Sequence, residues 1–242
     1  MIRPKDAPPV LLLHGAVANS TSWMGDAGVW SQHWRIYAVD MIGEPGFSAP
    51  ARPPLASQAY ARWLDEVMVG LGVERPALVG ISLGGWLALD YATRRPGRVS
   101  ALALLCPGGV GRHRNILIWA APLLLLGPVG RRIIMRRLGG GSPPPVSPAA
   151  QAFGAFMGLI FANFRPRTER LPRVSDDALS GLSMPVLAIL GGRDAMIDSA
   201  GTRERLAAHV PHADIRWLPG AGHILMAHGA EIDAFLAKAL LS

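Results

Sequence analysis

Strands alternating with helices predict an α/β protein with a mostly parallel sheet and helices on both faces. Three observations carry that prediction. Short apolar runs recur near residues 9–14, 35–40, 76–81, 100–106, 185–190 and 213–218, each of strand length. Helical spacing fills the gaps near 56–71, 84–95, 199–209 and 229–241, with a shorter helix before Trp34. Several apolar runs give way to glycine-rich loops, as in Gly191-Gly192-Arg193-Asp194.

The first strand, Pro9-Val10-Leu11-Leu12-Leu13, ends in the turn His14-Gly15-Ala16. The second opens into Asp40-Met41-Ile42-Gly43-Glu44-Pro45-Gly46-Phe47-Ser48, a loop by its glycines and proline. The third, Pro76-Ala77-Leu78-Val79, runs into Gly80-Ile81-Ser82-Leu83-Gly84 and then the helical pattern from Gly85 to Tyr91. A serine between small residues, at a strand-to-helix turn, is lifted clear of the sheet onto a helix N-terminus that favours negative charge. The fourth strand ends at Cys106. The fifth, Val186 to Leu190, leads to Asp194, and the sixth, near Ile215 to Leu218, leads through Pro219-Gly220-Ala221-Gly222 to His223.

A serine hydroxyl needs a base to take its proton and a third group to orient that base. His223 and Asp194 stand where strands give way to loops, as Ser82 does, which is the edge of an open α/β sheet where sites form. The order is Ser82, Asp194, His223. Backbone N–H groups of Leu83, after the serine, and Ala16, after the first strand, would supply an oxyanion hole.

These pieces resemble the α/β-hydrolase fold, in the serine esterase and C–C-bond hydrolase branch. The resemblance rests on His14-Gly15, the loop from Asp40 to Ser48, Gly80 to Gly85, Gly191 to Asp194 and Gly220 to His223, in the family's order across nearly the whole chain. It implies Ser82 as nucleophile, Asp194 as triad acid and His223 as base. It also implies a helical lid over 107–175, inserted in a core made of 1–106 and 176–242. Two departures stand out. The Asp40–Ser48 loop has one additional residue, reading Gly-Glu-Pro-Gly, and the chain reaches its His-Gly strand so early that the family's first two strands are expected to be missing or shortened.

Other residues compete for these roles. His14 is similar to a histidine that braces the oxyanion loop. Asp198 lies four positions after Asp194 but precedes Ser199-Ala200 and suits a helix cap. His228 is expected on the last helix as a packing or surface residue. Cys106 reads as a small buried hydrophobe. The glycine-rich segments lack both the Lys-Ser/Thr of a phosphate loop and a G-x-G-x-x-G after the first strand, so no nucleotide site is expected. The expected serine chemistry calls for no metal or other cofactor.

The 242 residues suffice for one domain with a large core, and their 50% apolar content excludes general disorder. The single cysteine excludes an internal disulfide. With no signal-peptide core before the first strand, the expected location is the cytoplasm. Residues 107–175 hold ten arginines and one acid, Glu169, a balance of +9 against +7 for the whole chain. The rest of the chain is therefore negative by two. A basic mouth suits an anionic substrate or weak contact with an anionic surface; the plainer reading is solvated arginine on outer helix faces. Nothing accompanies that charge to recognise nucleic acid. The apolar stretches Asn115–Leu126 and Ala149–Phe164 are too short and broken to span a bilayer, and Gly139–Pro145 between them reads as a crossover.

The function expected is therefore hydrolysis of a small carboxylic ester through an acyl-enzyme. C–C cleavage of anionic diketones, perhydrolysis and cofactor-free haloperoxidation would use the same three residues. Aspartate stands at this turn in haloalkane dehalogenases and epoxide hydrolases of the fold, so Ser82 argues against both.

Overall fold

The computed structural model describes residues 7–141, 147–225 and 228–241. Six strands form its sheet: β1 (Pro9–Leu13), β2 (Arg35–Val39), β3 (Ala77–Ile81), β4 (Ala101–Leu105), β5 (Val186–Gly191) and β6 (Asp214–Leu218). All pair in parallel, in the order β2-β1-β3-β4-β5-β6. The helices are α1 (Met24–Trp30), α2 (Ala59–Leu71), α3 (Leu83–Arg94), α4 (Ile116–Leu124), α5 (Gly127–Leu138), α6 (Pro148–Asn163), α7 (Asp176–Ser180), α8 (Ser199–His209) and α9 (Gly229–Leu241).

The central strands are continuous apolar runs because both faces of the sheet are covered. Val10, Leu12, Val79, Ala103 and Ile189 point to one face, where Trp23, Trp30, Trp34 and the α9 residues Ile232 and Leu236 pack. Leu11, Leu13, Leu78, Leu104 and Leu190 point to the other, against Tyr60 and Leu64 of α2, Trp86 of α3 and Leu206 of α8. Each leucine buried this fully contributes about 1.5–3 kcal/mol by leaving water. The tryptophans also pin α9: the Trp30 indole N–H donates to the Gly229 carbonyl at 3.0 Å and the Trp34 indole to Asp233 at 2.6 Å.

The chain moves outward from β1 to β2, then returns across β1 to β3. The direction of winding thus reverses between β1 and β3, and a crevice opens there beyond the strand ends. Gly15-Ala16 and Ser82 follow the ends of these two adjacent strands.

Between β4 and β5 the chain departs into α4, α5 and α6. It returns along the segment that leads into α2: Arg52 stacks on the Phe164 ring at 4.7 Å, Arg167 bonds the Tyr60 hydroxyl, and Glu169 accepts the Leu55 amide at 2.9 Å. Sequence reading identified the apolar helices α4 and α6 but not α5, whose start is Gly-Pro and whose body is arginine-rich. It placed His228 on the last helix, whereas His228 precedes α9, its carbonyl accepting from the Ile232 amide at 3.1 Å. Of the expected crossover 139–145, residues 142–145 lie outside the described residues. No helix among the described residues is long and apolar enough to cross a membrane.

Candidate active site

Ser82 sits between β3 and α3 with φ 53°, a conformation that L-residues avoid. The neighbouring glycines allow the turn. A Cβ on Gly84 would lie 2.1 Å from the Leu13 carbonyl oxygen, and one on Gly80 would lie 2.4 Å from that of Gly84. Backbone bonds lock the turn: the Ser82 amide donates to Leu105 at 2.9 Å, and the Ser82 carbonyl accepts from Trp86 at 2.9 Å and Gly108 at 3.0 Å.

The Ser82 Oγ lies 2.9 Å from Nε2 of His223, and Nδ1 of His223 lies 2.7 Å from Oδ2 of Asp194. The other Asp194 oxygen accepts the amides of Met196 at 2.7 Å and Ile197 at 2.9 Å. Burial alone would raise the Asp194 carboxyl. The hydrogen bond and charge of His223, with the two amides, outweigh it and hold the pKa below its ordinary value. An ionised Asp194 takes the Nδ1 proton of His223 in a hydrogen bond, which leaves Nε2 as acceptor for the serine hydroxyl. The three side chains predicted from sequence therefore meet in one hydrogen-bonded chain.

Leu83 is the first residue of α3, where amides lack partners within the helix. The loop carrying Ala16 lies beside the serine, for a Cβ on Gly15 would stand 3.7 Å from Ser82 Cβ. His14 is fully buried. Its Nε2 accepts the Met41 amide at 3.0 Å and its Nδ1 faces the Gly15 carbonyl at 2.8 Å, so the proton resides on Nδ1. Asp198 caps α8 by accepting the Gly201 amide at 3.2 Å, and His228 contacts Glu231 at 3.2 Å.

Sequence reasoning missed three neighbours of the site. Glu44, the acid of the lengthened loop, is buried and accepts the Val17 amide at 2.7 Å; Val17 has φ 56°. The Gly-Glu-Pro-Gly spelling was the available signal. Cys106 is buried against Asp194 and His223, at φ 40°, with its thiol pushed well above the ordinary range by burial and by the Asp194 charge. Finally, the end of α5 rests on the histidine loop: the Ile224 amide donates to the Leu138 carbonyl at 3.1 Å, and Arg193 reaches the Gly140 carbonyl at 3.4 Å.

Cys106, Asp194 and His223 are also the one cluster among the described residues that could hold a metal ion. Both ring nitrogens of His223 are already engaged, so a metal there would dismantle the chain to Ser82.

A parallel sheet with a strained serine at its winding reversal defines the α/β-hydrolase class. The model of the Alpha/beta hydrolase family matches residues 10–235, and the chain belongs to that family. It is similar to carboxylesterase YbfK of Bacillus subtilis (strain 168), with 30% identity over 227 residues covering 92% of this chain and 76% of that one. Among solved structures it is similar to naproxen esterase (carboxylesterase NP) from Bacillus subtilis, at 29% identity and a TM-score of 0.80, covering 97% of this chain and 84% of that one. A meta-cleavage product hydrolase from Pseudomonas fluorescens shares the fold at a TM-score of 0.73 and 20% identity, over 96% of this chain and 92% of that one.

Proposed function

We propose that the chain is a serine hydrolase of small carboxylic esters, with Ser82, His223 and Asp194 as its triad. One observation carries this reading: the unbroken path Ser82 Oγ, His223 Nε2, His223 Nδ1, Asp194 Oδ2, with steps of 2.9 and 2.7 Å. The similarity to carboxylesterases supports the choice of esters.

In this mechanism Ser82 Oγ attacks the ester carbonyl carbon while its proton passes to His223 Nε2. The oxyanion is held by the Leu83 and Ala16 amides, each such donor being worth about 3–4 kcal/mol in the transition state. Collapse breaks the C–O bond to the alcohol, which leaves with the proton from His223. Water then gives a proton to His223 as its oxygen bonds to the acyl carbon; the bond from that carbon to Ser82 Oγ breaks, the acid leaves, and His223 returns the proton to Oγ. Asp194 keeps the imidazole in the required tautomer and offsets its charge. The reaction calls for no cofactor. Residues 107–175 would serve as the lid: Leu171 packs against Gly108 at the serine turn, and α5 ends on the histidine loop.

Hydrolysis of a p-nitrophenyl ester ladder, acetate to palmitate, tests this. Wild type should turn over short to medium chains, and Ser82→Ala should fall by about 10⁶-fold. No turnover of any ester by folded wild type would overturn the ester reading and move the weight to C–C cleavage, which uses the same triad.

A further inference from the structure

Helix α6 contains no charged residue along its 16 positions, and none of its described side chains is buried. A helix apolar on all sides belongs in a protein interior or in lipid, not in water. Other residues between β4 and β5 share the anomaly. Leu125, after α4, is 88% exposed, Ile118 of α4 76%, and Leu159 of α6 66%. Each adds exposed apolar area of the kind that marks an interaction site.

The chemistry of the occupant follows from the charge on α5, which packs against α4. Arg131, Arg132, Arg136 and Arg137 are all exposed on α5, and residues 107–175 carry ten arginines to one acid. A second copy seated here would bring two such segments together, like charge against like. An anionic bilayer answers both features, taking apolar side chains into its acyl boundary and guanidinium groups to its phosphates. At 1.5 Å per residue α6 is roughly 24 Å long, short of the roughly 30 Å hydrocarbon core, so it would lie along the surface rather than cross.

We propose that α4, α5 and α6 form an interfacial docking surface for an anionic lipid bilayer. The same α5 ends on the loop that carries His223, through the bond from the Ile224 amide to the Leu138 carbonyl. Docking therefore brings the serine site to the membrane surface and suits it to esters with an amphiphilic acyl chain. That substrate consequence rests on the ester reading; the docking does not.

Flotation with vesicles of phosphatidylcholine alone and of phosphatidylcholine mixed with phosphatidylglycerol tests the proposal. The full chain should float with the mixed vesicles, lose them in high salt, and ignore the neutral ones. R131E/R132E should weaken binding about thirtyfold or more, because each arginine at an anionic surface strengthens binding about fivefold and the glutamates add repulsion. L125S/L159S should weaken it without changing its salt dependence. Both variants should retain wild-type hydrolysis of p-nitrophenyl acetate, and S82A should float like wild type, which separates docking from the ester chemistry. Equal binding to neutral vesicles, no binding to either, or a dimer in sedimentation that L125S/L159S dissolves would each overturn the proposal.

Discussion

The Glu44 carboxylate accepts the Val17 amide at 2.7 Å, tying the loop after β2 to the loop after β1. Burial raises the Glu44 pKa, while the Val17 amide and the charges of Arg52 and Arg167 pull it back. Val17 directly follows Ala16, so Glu44 fixes the direction of the proposed oxyanion donor. Glu44→Ala should orphan a buried amide, costing about 1–3 kcal/mol of stability. Its kcat on a soluble ester should fall with little change in KM, and Glu44→Gln, which keeps an acceptor, should restore most of it. Steady-state kinetics and thermal melts of the pair check this.

Ser82 occupies its turn at φ 53° at a conformational cost of about 1–3 kcal/mol. Ser82→Gly should therefore be inactive yet melt at or above the wild-type temperature, by roughly 2–4 °C for each kcal/mol relieved. A scanning calorimetry comparison decides it; a clear drop in melting temperature would show the turn is not strained.

Asp194 has a folded pKa below its ordinary 3.8. The stability it contributes is whole above 3.8 and drains as pH falls through the folded value, because the unfolded carboxyl protonates first. Asp194→Asn should thus melt well below wild type at neutral pH, and the gap should narrow in acid beneath 3.8.

Cys106 is buried and its thiol is held protonated by burial and by Asp194. Iodoacetamide should leave it untouched in the native protein and alkylate it once in denaturant, as read by intact mass. Rapid native labelling would show that the space behind the triad opens to solvent.

The strands and the three triad candidates were legible in the sequence because each is a local pattern. An apolar run, a glycine turn and a polar residue just past it stand within about ten positions of one another, the span over which local signals act. Asp198 could be set aside for the same reason, since a cap is recognised from its own helix. Glu44 was not legible as a brace, because its partner lies 27 residues away on another strand's loop. The position of Cys106 behind Asp194 depends on β4 lying next to β5, which spacing does not state. Helix α5 escaped because its glycine, proline and arginines weaken every local signal, and its contact with the histidine loop is tertiary.

His223 bonds to residues 29 and 141 positions earlier in the chain, and the strands behind these residues pair only in parallel. Each such pairing closes a long loop before it gains anything in return. No partial set of strands assembles the site, since β6 must dock on β5 before the imidazole can reach the serine. In a refolding experiment the far-ultraviolet signal should then recover ahead of ester turnover. The lag between them would time the arrival of the last edge strand.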